Sequence, residues 1–171
     1  MSRRSNQRYV CHALEELARQ LLYAPSDRRA EDIRRAEALY DELDVAQNYP
    51  LEYLAYRITA HRKPEPEGTT LVGEAVLPDL RLMIDSLSRS IELPPSEEER
   101  EETTDELAAR LGVSGKTVGR WRRAGLRWRW VTPQPGGKKR VVFAASAVTR
   151  FREQHPGRAE SASAFKRMTT A

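Results

Sequence analysis

Eleven side chains in residues 114–140 suit contact with a polyanion: Ser114, Lys116, Thr117, Arg120, Arg122, Arg123, Arg127, Arg129, Lys138, Lys139 and Arg140. A guanidinium offers a planar fork of N–H donors that matches a phosphate or the O6/N7 edge of guanine. A lysine places a compact charge on phosphate, and a hydroxyl serves either surface. Lys116, Arg120 and Arg123 stand at i, i+4 and i+7, so a helix would carry them as one stripe, flanked by Thr117 and Arg122. That arrangement predicts Lys116, Thr117 and Arg120 on base edges. Ser114, Arg122, Arg123 and the cations of 127–140 then fall mostly on phosphate. The plainer alternative is a solvated or protein-facing surface, the usual setting for a run of charge. Residues 116–129 hold six cations and no acid to pair with them, which favours groove contact.

Catalytic chemistry finds little support. His12, His61 and His155 are scattered, and Cys11-His12 is an adjacent pair with no second ligand pair at metal spacing. Neighbouring side chains on a helix diverge, so that pair also fails as nucleophile and base. There is no Walker-type loop and no dinucleotide fingerprint. The expectation is a non-enzyme with no metal and no cofactor.

The elements that must position the basic residues lie in 103–151. Thr103 and Glu106 have capping-box spacing, with Asp105 adding negative charge to the first turn. Leu107, Ala108 and Leu111 share a helical face, and Gly112 suits the left-handed residue that ends the helix. Val113 then plugs the core and Ser114 caps a second helix, in which Val118 and Trp121 face inward. Two helices joined by so short a turn cross steeply, the helix-turn-helix arrangement. Gly119 removes bulk where this second helix approaches a backbone. In LRWRWV, Leu126, Trp128 and Trp130 alternate with Arg127, Arg129 and Val131, predicting a half-buried strand. PQPGG is a turn and KKRVVF a second strand opening on three cations. Ser146 is expected to cap a closing helix through Val148 and Phe151. The whole reads as a winged helix-turn-helix with a two-stranded wing.

The preceding half predicts about four helices in a small bundle. Val10, Leu14, Leu17 and Leu21 form one stripe, ending before Pro25. Ser26 caps a second helix with Ile33, Ala36, Tyr40 and Leu43 inward. Tyr49-Pro50 opens a third, lined by Leu51, Leu54 and Ile58. After a KPEPEG linker, Pro78 opens a fourth with Leu80, Ile84, Leu87 and Ile91 inward. Tyr49, Tyr53 and Tyr56 are expected in the core or at its edge rather than as an exposed patch. The fold class is therefore mainly α. Its domains are a protein-contacting bundle (1–92), an acidic Pro-containing linker (93–102), the winged DNA-binding domain (103–154) and a flexible basic tail (155–171).

Charge follows the same division. The chain of 171 residues has a net charge of only +4. By sign, residues 1–101 carry about 14 cations against 20 anions, and 102–171 about 15 against 5, a net of −6 and +10. Such asymmetry fits a nucleic-acid-binding part joined to a protein-contacting one. With one cysteine, Cys11, no intrachain disulfide forms, which fits a reducing compartment. No apolar run is long enough to span a membrane, and Glu15, Glu16 and Arg19 interrupt any secretion signal after MSRRSNQRYV. The expected location is the cytoplasm, at the nucleoid, with double-stranded DNA as partner and no membrane.

DELAARLGVSGKTVGRWRRAGL followed by GGKKRVVF resembles the winged helix-turn-helix of the MerR and excisionase group. A wider resemblance takes in YPLEYLAYRITAHRKP, LPDLRLMIDSLSRSIEL and FREQHPGRAESASAFKRMT. In this order the segments are similar to the N-terminal region of planctomycete-type RNA polymerase sigma factors. In that family the promoter-recognition and core-polymerase-binding regions follow downstream. The resemblance thus implies either the front of such a factor or a stand-alone relative without those regions. Three functions stand. A transcription-initiation protein would use its N-terminal helices on RNA polymerase core or a regulatory protein. A stand-alone MerR/excisionase-like regulator would bind an operator without polymerase, usually as a dimer on two half-sites. A protein-interaction module would dock its basic face on an acidic partner and bind DNA weakly.

Overall fold

A computed structural model of the protein describes residues 7–61 and 68–158. The chain divides into two compact units, Met1–Ile91 and Glu92–Ala171. Among the described residues it is mainly helical, with small antiparallel sheets.

The first unit holds α1 (His12–Leu21), α2 (Ser26–Glu42), β1 (Asn48–Pro50), α3 (Leu51–Thr59), β2 (Thr70–Val72) and α4 (Gly73–Arg89). Helix α4 packs on α1 and α2, and α2 on α3. Leu14, Ile33, Ala36, Leu39, Leu54, Ile58, Leu80, Met83, Ile84 and Leu87 are sealed from solvent. Each set repeats at three or four residues, which gives each helix one apolar stripe to bury.

Five local expectations for this unit are corrected. Val10 precedes α1 and is exposed. Cys11 sits at the α1 N-cap with no capping side chain; the Val10 and Cys11 N–H groups instead donate to the Asp79 carboxylate at 2.8 Å each. Ser26 is the first residue of α2 and caps nothing, because Pro25 holds the cap position. Pro50 is likewise the cap of α3 rather than its first residue, and it also closes strand β1. Pro78 lies inside α4, which begins at Gly73. The helix starts early because the Gly73 N–H donates to the Gln47 carbonyl at 2.8 Å, anchoring the turn at the end of the β1–β2 ribbon. The prolyl nitrogen then forgoes only the bond it would have made one turn back. Tyr53 and Tyr56 stay substantially exposed; Tyr53 stacks on Tyr49 and lies beneath the Arg57 guanidinium. Most of the expected KPEPEG linker falls outside the described residues.

The second unit holds β3 (Glu101–Thr103), α5 (Thr104–Leu111), α6 (Gly115–Ala124), β4 (Arg129–Val131), β5 (Arg140–Ala144) and α7 (Ala145–Gln154). Its sheet runs β3-β5-β4, antiparallel throughout, with Glu102 opposite Phe143 and Trp130 opposite Val141. One core gathers Leu107, Val113, Val118, Trp121, Leu126, Trp128, Phe143, Val148 and Phe151, so both helices, the hairpin and α7 share it. That shared burial is what supports a hairpin too small to be stable alone.

The acidic linker expected at 93–102 is not a spacer. Leu93 is buried and its carbonyl accepts from Thr132 N–H at 2.7 Å. Glu101 and Glu102 form β3, with Glu102 only 2% exposed. Composition suggested solvation, but these acids meet donors within the unit. Ser146 does not cap α7, whose N-cap is Ala144; the Ser146 N–H donates to the Glu99 carboxylate at 3.0 Å. A carboxylate beside a helix N-terminus meets the exposed N–H groups and the positive end of the dipole together. The expected tail begins too early at 155, since His155 stacks on Phe151 at 4.4 Å. Residues 159–171 lie outside the described residues.

Candidate nucleic-acid interface

Helix α6 carries the basic stripe, and local chemistry fixes both its ends. Upstream, the Glu106 N–H donates to Thr103 Oγ1 at 3.3 Å while the Thr103 N–H donates to Glu106 Oε2 at 2.8 Å, the full capping box. Gly112 ends α5 in the left-handed region at φ 66°. Two residues later Ser114 caps α6, its Oγ accepting from Thr117 N–H at 3.2 Å. Between these two points Val113 is buried, tying the turn to the core.

Val118 and Trp121 anchor α6 from beneath, at 0% and 3% exposure. Lys116, Arg120 and Arg123 are exposed on the helix. None of the three has an ion-pair partner among the described residues. The Ser114 and Thr117 hydroxyls lie 3.1 Å apart at the N-terminal end of the same helix. These five of the eleven expected residues stand on α6 or at its cap, on a helix with one buried face.

The other six divide. Arg122 lays its guanidinium over the Trp128 ring, 4.1 Å from the centroid, a cation–π contact that ties α6 to the segment leading into β4. Arg127 is 7% exposed, which takes it off the expected phosphate surface. Arg129 forms an ion pair with Glu101, both side chains largely buried, so it too is corrected from phosphate contact to holding β4 near β3. The expected alternation fails here because β4 covers only Arg129–Val131, and Leu126, Arg127 and Trp128 all bury ahead of it. Trp130 is half-buried, while Val131 is buried.

Lys138, Lys139 and Arg140 sit where the hairpin turns back. Strand β5 begins at Arg140, opposite Val131, so Lys138 and Lys139 belong to the loop rather than the strand. Lys138 and Arg140 are exposed and Lys139 half-buried. The loop is glycine-dependent: Gly136 has φ 72°, and a Cβ on Gly137 would stand 2.8 Å from the Gln134 carbonyl oxygen. Glu92 steadies the turn, its Oε1 accepting from Gly136 N–H at 3.1 Å.

The acids around this unit were the residues that sequence reasoning missed. Arg110 grips Glu102 with Nε–Oε1 and Nη2–Oε2 both at 2.7 Å, and Arg100 stands 3.4 Å away. The Arg110 hydrogen bonds hold the Glu102 carboxyl below the usual carboxylate range, against the opposing effect of burial. Glu101 also accepts from Ser96 N–H at 2.8 Å. These pairings occupy Arg100, Arg110 and Arg129 and, among the described residues, leave no acid paired with the α6 stripe. No signal short of the strand pairing itself would have matched Glu101 to an arginine 28 residues away.

Among the described residues, no group of three or more His, Cys, Asp or Glu side chains could hold a metal ion, and no helix is long and apolar enough to cross a membrane. No family model, curated protein or solved structure matches the chain.

Proposed function

We propose that the second unit is a winged helix-turn-helix that binds double-stranded DNA, with α6 in the major groove and the β4–β5 hairpin as wing against the phosphate backbone. One observation carries this reading. Helix α6 exposes Lys116, Arg120 and Arg123 with no acidic partner among the described residues, on a helix whose opposite face is locked into the core by Val118 and Trp121. A rigid helix with unneutralised cations is what groove insertion requires, because DNA phosphates then supply the missing counter-charge. Lys116, Thr117 and Arg120 read base edges. Ser114, Arg123, Lys138 and Arg140 contact phosphate, with Lys139 at the same loop. Arg122, Arg127 and Arg129 build the support.

The protein acts in this reading as a DNA-binding transcription protein. The sequence resemblance to the front of a sigma factor supports a role in initiation, with the N-terminal helices contacting RNA polymerase core or a regulatory protein. Co-purification with polymerase tests that part separately; DNA binding without polymerase association would leave a stand-alone regulator.

The DNA proposal is tested by fluorescence anisotropy of the full chain on selected and random duplexes across a salt series. Neutralising about five phosphates gives a slope of log affinity against log salt of roughly −4 to −5. A slope near zero, or equal affinity for every duplex that Arg120→Ala leaves unchanged, overturns the assignment.

A further inference from the structure

We propose that the first unit binds a small amphipathic carboxylate in the groove between α1 and α3. The groove is a cavity of about 580 Å³, within the range of drug-sized ligand sites. It exists because α1 packs on α4 while α3 packs on α2, so the two helices flank a slot that neither fills. Leu17 and Leu21 wall it from α1, and Leu51 and Ala55 from α3. A ten-residue helix such as α1 runs about 15 Å, which bounds the apolar body such a slot accommodates.

The polar groups decide the head group. Two acids line the cavity, and each is held in an ion pair, although the buried Asp32 Oδ2 has no hydrogen-bond partner among the described residues. Glu16 pairs with Arg19 at 3.0 Å. Asp32 is sealed at 0% exposure with Oδ1 3.7 Å from Arg28 and 3.4 Å from Arg35, so it belongs to the floor and holds Arg28. Arg28 has donors to spare. Its Nη2 donates to the Thr59 carbonyl at 2.8 Å and its Nε faces Asp32, and the remaining N–H groups have no partner among the described residues. The side chain lines the cavity and is 36% exposed. His12 and His61 also line the cavity. An apolar slot with an unfilled guanidinium fork at one end is complementary to an apolar body ending in a carboxylate, which a planar fork accepts in bidentate fashion. A cationic head would meet Arg28, while the one carboxylate oxygen there without a hydrogen-bond partner, Asp32 Oδ2, is sealed from contact at 0% exposure.

The test uses the full chain and three probes of one chain length: decanoate, decanol and decyltrimethylammonium, each titrated by calorimetry and by amide chemical shifts. Decanoate is expected to bind at least about tenfold tighter than decanol, the increment of a charge-assisted hydrogen bond, with decyltrimethylammonium weakest. Shifts should concentrate on α1, α3 and Arg28. Ala55→Phe should fill the slot and abolish binding, with circular dichroism and thermal unfolding confirming an intact fold. Arg28→Met should bring decanoate down to the affinity of decanol. The proposal is overturned if no probe binds, if the three bind alike, or if Ala55→Phe leaves decanoate affinity unchanged. None of these outcomes bears on DNA binding by the second unit.

Discussion

Arg110 on α5 holds Glu102 on β3 by two parallel hydrogen bonds of 2.7 Å. The carboxylate is 2% exposed and the guanidinium 40%, so the pair joins helix to sheet with its acid inside and its base at the surface. Because the folded state lowers the Glu102 pKa, the stabilisation it gives is complete above the unfolded value, near 4.5, and is lost as pH falls through the lower folded value. The second unit should therefore lose stability below about pH 4.5 faster than a Glu102→Gln variant does. At neutral pH that variant should cost about 1–2 kcal/mol, allowing for solvent screening of the half-exposed arginine. Urea unfolding of both proteins between pH 3 and 7 checks it; parallel pH profiles would refute the linkage.

Two arginines nine residues apart should behave oppositely. Arg120→Ala should leave thermal stability nearly unchanged and cost about 1–3 kcal/mol of affinity for the preferred duplex, while random DNA is affected less. Arg129→Ala removes the partner of the buried Glu101 carboxylate and should cost about 3 kcal/mol or more of folding stability. Unfolding curves and anisotropy on the same two variants separate the roles. Equal losses of stability would contradict the division between reading helix and support.

The part of the site readable from sequence is the part whose causes are local. Thr103 and Glu106, Gly112, Ser114, Val118 and Trp121 each act within about a turn of their neighbours, so spacing alone predicts both helices and the turn. The wider failures come from partners far along the chain. Asp79 caps α1 from 68 residues beyond Cys11, and Glu99 reaches Ser146 across 47. Strand β3 exists only through pairing with β5, and three charged or polar residues in a row give no alternation to detect. The same gap misassigned Arg127, which is buried, and Arg129, whose ion pair with Glu101 a period-two pattern does not encode.

Gly73 marks a close backbone approach in the first unit. A Cβ built there would stand 2.1 Å from the Asp44 carbonyl oxygen, backbone against helix start with no flexible side chain to yield. Gly73→Ala should destabilise the unit by about 1–3 kcal/mol or more and separate the α4 start from the Gln47 carbonyl. Hydrogen exchange at the Gly73 and Glu74 amides, compared with that in mid-α4, reads this directly. Unchanged protection there would show that the ribbon and helix can part without loss.

Gly119 presents the opposite case, and its sign depends on what lies against α6. A Cβ at this position meets nothing within 4 Å, so the fold itself has no need of glycine there. In a helix interior alanine is favoured over glycine by about 0.5–1 kcal/mol, and Gly119→Ala should raise stability by roughly that amount. The residue sits between Val118 and Arg120, three positions from Lys116 and four from Arg123, on the side of the exposed stripe. If α6 enters a groove, the added methyl stands between helix and DNA, and affinity should fall while stability rises. A stabilised variant that binds DNA as tightly as the parent would mean that α6 does not approach DNA along the Lys116–Gly119–Arg123 line.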